Sequence, residues 1–186
     1  MASRNIEDLH ISIQDKARKL LDLAKFDGWE AFITAGYRDC KEQAELYAQG
    51  RTKPGKRVTN AKPGQSLHQY RLAFDIAFRK GREVSFRLDR FLKAGKLAKQ
   101  CGLEWGGLWQ NFRDYPHYQY TQGLSLGDIQ RGDRPLMSGT YIGTTSYAGG
   151  TIPKGAIKIR DPKELNGLSK DKIWRDPNSK DMYKLL

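Results

Sequence analysis

An acid set inside an apolar strand constrains this chain of 186 residues more than any other feature. From Arg71 to Phe78 the residues alternate. Leu72, Phe74 and Ile76 fall on one face of the predicted strand, and Ala73, Asp75 and Ala77 on the other. A carboxylate there is costly to bury unless a cation or a set of donors meets it. The flanking alanines leave open space beside it, and His68 stands just upstream, where the chain enters the strand. A second acid and a second histidine occur together in Asp114-Tyr115-Pro116-His117. Two imidazoles with one or two carboxylates are the donor set of a catalytic zinc that keeps an open position. The alternative is that each histidine is a satisfied structural residue. Of the three histidines, the remaining one, His10, sits beside Asp8 in an amphipathic stretch and reads as a surface or capping residue.

Around that strand the spacing predicts a mixed chain. Ile13, Ala17, Leu20, Leu21 and Ala24 recur at helical intervals over 12–25, with Ser12 as N-cap. Trp29 to Thr34 reads as a strand. Asp39 caps a second helix through Gln49, with Ala44, Leu46, Tyr47 and Ala48 as its apolar positions. Residues 51–65, broken by glycine and proline, form a long loop of the kind that carries function or a solvated rim. Arg79 to Arg82 makes a turn. A third helix runs over 86–101, with Leu88, Phe91, Leu92, Leu97 and Ala98 inward and Gly102 as its stop, and His117 to Tyr120 is a further strand. Short strands and helices in this order, without a βαβ repeat, give an α+β fold: a small antiparallel sheet with flanking helices.

A formal net charge of +12 favours a polyanionic partner, whether nucleic acid, an anionic membrane surface or a bacterial wall. No apolar run approaches the roughly 20 residues that span a bilayer, so stable membrane insertion is not expected. No recognition helix or stacking module argues for nucleic acid. The N-terminus lacks the basic-then-apolar order of a secretory signal, so the protein is expected to remain in the cytoplasm of the cell that makes it until released. Cys40 and Cys101 show no CxxC spacing, and each reads as a small buried hydrophobe.

Several separated motifs carry a family resemblance. Ser66-x-His68 is followed by Ala73-x-Asp75, then by Glu104-Trp105-Gly106-Gly107-x-Trp109, Phe112-x-Asp114 and Pro116-His117. Earlier come Ser3 to Leu9, Tyr37-Arg38, Gln43 to Thr52 and Val58 to Ala61. Over about residues 3–130 the chain resembles the zinc D-alanyl-D-alanine carboxypeptidases (peptidase M15), and within them the L-alanyl-D-glutamate endopeptidases found as phage endolysins and bacterial wall hydrolases.

The resemblance implies a D,D-peptidase or hedgehog-like fold and a zinc ion held by His68, Asp75 and His117. It makes Asp114 the general base and Arg38 the cation that stabilises the oxyanion. Ser66 and Gln43 become substrate-binding residues, Gln43 the weaker of the two because a helix-surface glutamine needs no function. Glu104 is placed to orient one of the histidines, and Trp105 and Trp109 to wall the cleft. The implied substrate is peptidoglycan, cut by a monomeric enzyme between L-Ala and D-Glu. A D,D-carboxypeptidase on the same fold and a non-catalytic basic wall-binding module are the alternatives. Arg71 stands where the family motif has glycine, which bears on the cleft edge more than on the ligands. The catalytic domain is expected over 1–133. A glycine- and lysine-rich extension follows over 134–186, as a wall-binding module, a packed extension or a partly disordered tail.

Overall fold

The computed structural model describes residues 2–135 together with three short strands beyond them. The chain divides into two units, Met1–Pro135 and Leu136–Leu186.

In the first unit, helix α1 (Ile11–Leu23) buries Ser12, Ile13, Ala17 and Leu20 on a single stripe. Its N-cap is His10, two residues before the expected Ser12, and the His10 Nδ1 accepts the Ser12 backbone N–H at 3.3 Å. Strands β1 (Lys25–Phe26) and β2 (Trp29–Ala35) then form a hairpin. Its two turn residues, Asp27 and Gly28, both have positive φ, 54° and 78°. That is the primed turn an Asp-Gly pair favours, because its twist matches the strands it joins.

Helix α2 (Cys40–Ala48) is capped as expected, with the Asp39 carboxylate accepting the Glu42 N–H at 2.7 Å. Its expected apolar positions are not its buried ones. Among its residues only Gln43 is buried, and Cys40, expected inside, is exposed at the helix start. The side chain the helix turns inward is the one with polar partners, Arg38 and Ala61. Cys101 is buried as expected.

Strand β3 (Ala73–Lys80) runs through the middle of the sheet. It extends through Arg79 and Lys80, the first half of the expected turn, and the remaining two residues, Gly81 and Arg82, join it in a hairpin to β4 (Glu83–Ser85). Helix α3 (Leu88–Ala98) packs Phe91, Ala94, Gly95 and Ala98 inward, whereas Leu88 and Leu92 face solvent. The reason is Trp105: its ring needs the space above Gly95, where a Cβ would stand 2.5 Å from it, so the small residues face the sheet. A 3-10 turn (Lys99–Cys101) ends at Gly102 in the left-handed conformation.

Strands β5 (Glu104–Trp105) and β6 (His117–Gln119) complete a six-stranded antiparallel sheet in the order β1-β2-β3-β6-β5, with β4 paired to the far end of β3. Helix α4 (Leu126–Gln130) closes the unit with a Ser125–Asp128 capping box. The α+β architecture expected from the sequence is the one found. Phe74, Ile76 and Phe78 join Ile13, Leu20 and Phe91 in the core; burying each contributes about 1.5–3 kcal/mol. Asp75, of opposite parity, faces away from that core.

The second unit contains strands β7 (Ile157–Lys158), β8 (Ile173–Arg175) and β9 (Met182–Lys184), antiparallel in the order β7-β9-β8. The remainder of the expected extension, including its glycine-rich run, lies outside the described residues.

Candidate metal centre

Sheet register builds the centre. Asp75 on β3 pairs directly with His117 on β6, and with Ala35 on β2 across a bulge between Ile33 and Ala35. His68 comes from a 3-10 turn (Leu67–Tyr70) that leads into β3. Arg71 ends that turn with φ 64°, returning its N–H to the His68 carbonyl at 3.2 Å. This is the conformation that a glycine adopts freely. The Arg71 guanidinium stacks 4.1 Å from the Tyr37 ring centroid and donates to Asp8 O at 2.6 Å. It therefore braces the fold and is not among the residues lining the cleft.

Three ligand atoms converge. His68 Nε2 lies 3.3 Å from Asp75 Oδ1, His117 Nδ1 lies 3.1 Å from the same oxygen, and the two ring nitrogens are 3.3 Å apart. All such atoms of the three residues fall within 4.8 Å of one another. The other ring nitrogen of His68, Nδ1, lies 2.7 Å from Gly36 O. A carbonyl only accepts, so Nδ1 carries a proton, and the neutral imidazole turns its Nε2 lone pair to the centre. A lone pair and a carboxylate oxygen thus point at one spot beside a second imidazole. This cradle fits a cation bound by nitrogen and oxygen donors. Burial opposes ionisation of Asp75, but His68 and His117 outweigh it and hold the carboxyl well below the usual range. Burial likewise opposes a charged His117, yet the hydrogen bond and charge of Asp75 raise its pKa.

Asp114 stands on the turn before β6. Its N–H donates to Gly106 O at 3.1 Å, and its own carbonyl accepts the His117 N–H at 3.2 Å. A Cβ on Gly106 would meet Asp114 O at 2.6 Å and the His117 Cβ at 3.1 Å, so only glycine lets this turn approach the sheet. Burial, and next the charge of Asp75, push the Asp114 carboxyl pKa up, while His117, His68 and Arg38 pull the other way. A raised carboxyl beside a cation cradle is suited to taking and returning a proton.

Arg38 borders the same space. Its Nη2 is 3.9 Å from Asp75 Oδ2, its Nη1 donates to Gln43 Oε1 at 3.0 Å, and its Nε is buried without a partner. Gln43, expected on the helix surface, instead points inward. It is fully buried, and its amide nitrogen donates to Ala61 O at 2.7 Å. The wrong expectation came from counting apolar residues on α2, which cannot reveal a polar side chain turned inward. Ser66 lines the cleft and is nearly buried. Trp109 packs its ring 5.0 Å from that of His117 at the cleft wall, whereas Trp105 is buried and donates Nε1–H to Tyr115 O at 2.8 Å. Glu104 contacts neither histidine directly; it accepts from Gln119, which neighbours His117. Together these residues line an open cleft of about 580 Å3, walled further by 58–61 and Phe112.

A family model described as D-alanyl-D-alanine carboxypeptidase matches residues 59–120, a span holding His68, Asp75, Asp114 and His117. The peptidoglycan L-alanyl-D-glutamate endopeptidase CwlK of Bacillus subtilis is 42% identical over 123 residues, which cover 60% of this chain and 73% of that protein. The chain belongs to the peptidase M15 family. The family expected from the motifs is therefore the one found. A second relative, the L-alanyl-D-glutamate peptidase of Listeria phage A118, is 32% identical over 63% of this chain but only 40% of that protein. Among solved structures, the Serratia marcescens L-Ala D-Glu endopeptidase ChiX has a TM-score of 0.48 at 24% identity, covering 65% of this chain and 89% of that one. A Zn(II) complex of the D,D-pentapeptidase VanY has a TM-score of 0.47 at 22% identity, covering 60% and 72%.

Proposed function

We propose that this M15 peptidase is a zinc-dependent L-alanyl-D-glutamate endopeptidase acting on peptidoglycan stem peptides, and that it serves a phage as an endolysin. The convergence of His68 Nε2, Asp75 Oδ1 and His117 Nδ1 beside Asp114 and Arg38 carries the reading. The relatives named for that bond support the specificity, and the charge of +12 suits an anionic wall.

His68, Asp75 and His117 would hold the ion. When bound, zinc supplies Lewis acidity, polarising the scissile carbonyl and acidifying the attacking water. Asp114 takes the proton from that water and delivers it to the departing amine of D-Glu. Arg38, fixed by Gln43, offers its guanidinium to the negative charge that develops on the carbonyl oxygen. Ser66 contacts the peptide at the cleft edge. The protein acts as a monomer, held in the host cytoplasm until a separate pore admits it to the wall.

Mass spectrometry of digested peptidoglycan tests this. New L-Ala C-termini paired with new D-Glu N-termini, abolished by chelator and restored by zinc, are the expected result. Release of D-Ala instead would favour the carboxypeptidase reading that the family description suggests. Absence of any product from folded, zinc-supplied protein would leave a basic wall-binding module.

A further inference from the structure

Beneath the centre, a run of hydrogen bonds has its direction fixed by chemistry. Glu104 and Gln119 are cross-strand partners on β5 and β6. Glu104 Oε1 accepts from the Thr121 backbone N–H at 3.0 Å and from its hydroxyl at 2.6 Å. Glu104 Oε2 accepts from Gln119 Nε2 at 2.7 Å. Gln119 Oε1 lies 3.0 Å from His117 Nε2.

A carboxylate has no proton to give, so the Gln119 group facing Glu104 must be its NH2. The Gln119 oxygen is then committed to the side facing His117, and it too only accepts. His117 Nε2 must therefore carry a proton, so in the neutral imidazole, the form that can ligate a metal, it is Nδ1 that is bare toward Asp75 and His68. The exposure of Glu104 weakens these bonds without altering their direction. Asp75, 3.1 Å from Nδ1, attracts a proton to the wrong nitrogen; the run from Thr121 opposes it.

We propose that Glu104 is a positioning residue that acts through the Gln119 amide to hold His117 in the Nε2–H tautomer, the form whose Nδ1 is free to bind the metal. This rests on His117 being a ligand. The parallel on the other side is His68, whose Nδ1 proton is pinned by Gly36 O. One imidazole is set by a backbone carbonyl and the other by a two-residue side-chain relay, so Glu104 contributes to the metal site without touching it.

In Glu104→Gln the residue at 104 can donate as well as accept, so the Gln119 amide is free to turn over and offer its NH2 to His117 Nε2. Zinc dissociation constants are measured by competition with a chelating dye for the parent, Glu104→Gln, Gln119→Leu and the double variant. Each single change is expected to weaken zinc binding by about 10- to 100-fold, and the double variant no more than Gln119→Leu alone. Parent-like affinity in Glu104→Gln, or additive losses, would overturn the relay. His117→Ala distinguishes the levels: if it keeps parent-like zinc affinity, the ligand reading itself is wrong, whereas zinc loss there with none in Glu104→Gln sinks only the relay. Should a variant not fold, 15N NMR of the zinc-loaded parent decides. A slowly exchanging His117 Nε2–H supports the relay, and one exchanging like a free imidazole N–H contradicts it.

Discussion

Gln43 clamps Arg38. Its side-chain oxygen accepts the guanidinium at 3.0 Å while its nitrogen holds the carbonyl of Ala61 at 2.7 Å. One buried amide therefore ties the cation to the loop that walls the cleft. Gln43→Leu keeps the volume but leaves a guanidinium N–H and a carbonyl unmet, at a cost of about 1–3 kcal/mol. Displaced by even ~1 Å, Arg38 loses alignment with the reacting carbonyl, and such misplacement can lower turnover about 100-fold. Arg38→Ala is expected to fall by about 100- to 1000-fold. Steady-state kinetics on a defined muropeptide check both; an unchanged kcat in Gln43→Leu refutes the clamp.

Asp114 offers a pH test in metal-free protein. Burial and the charge of Asp75 raise its pKa on folding. Stability gained from the protonated acid is therefore present below the unfolded pKa and lost as pH rises through the folded one. Asp114→Asn should accordingly melt higher than the parent at neutral pH, with the gap closing in acid. Carboxyl 13C titration should place the Asp114 midpoint above the usual aspartate range, and added zinc should lower it, because a nearby cation favours the carboxylate. A midpoint at or below the ordinary value contradicts the argument.

Helix α3 supplies an inverted substitution. Replacing a mid-helix glycine by alanine ordinarily stabilises by about 0.5–1 kcal/mol. At Gly95 a Cβ would lie 2.5 Å from the Trp105 ring. Gly95→Ala is thus expected to destabilise by about 1–3 kcal/mol through overpacking, as read from denaturant midpoints.

Arg71 combines a left-handed backbone, φ 64°, with two anchoring contacts. Arg71→Ala keeps the backbone cost and loses the contacts. Arg71→Gly loses the same contacts but relieves about 1 kcal/mol of strain. The glycine variant should therefore be the more stable of the two by about that amount, and equal stability would show that the conformation at 71 carries no strain.

The strand with Asp75 could be read directly because alternation and an isolated acid are local signals, and His68 and the Asp114–His117 pair stood within a few residues of strands. Other features depended on distant partners. The Asp27-Gly28 hairpin signal was hidden because a helix expected to run to residue 25 leaves no first strand for the turn to join. The inward face of α3 was misplaced because the eye follows Leu88 and Leu92, while the space is set by Trp105, ten residues from Gly95. Gln43 looked dispensable because its partners, Arg38 and Ala61, come from opposite sides of it in the chain. Glu104 was foreseen beside a histidine, but the intervening Gln119 emerged only from strand pairing.

The opposition of Asp75 and His117 across β3 and β6 has one more consequence. These two side chains are separated by 42 positions in the chain, so no nascent or unravelled segment can present them together. A slip of one position in that pairing would turn the acid toward the core and dismantle the cage. Ion uptake would then follow assembly of the sheet and act as its latch, and affinity for the ion becomes a sensitive gauge of whether two strands are stitched in the correct phase.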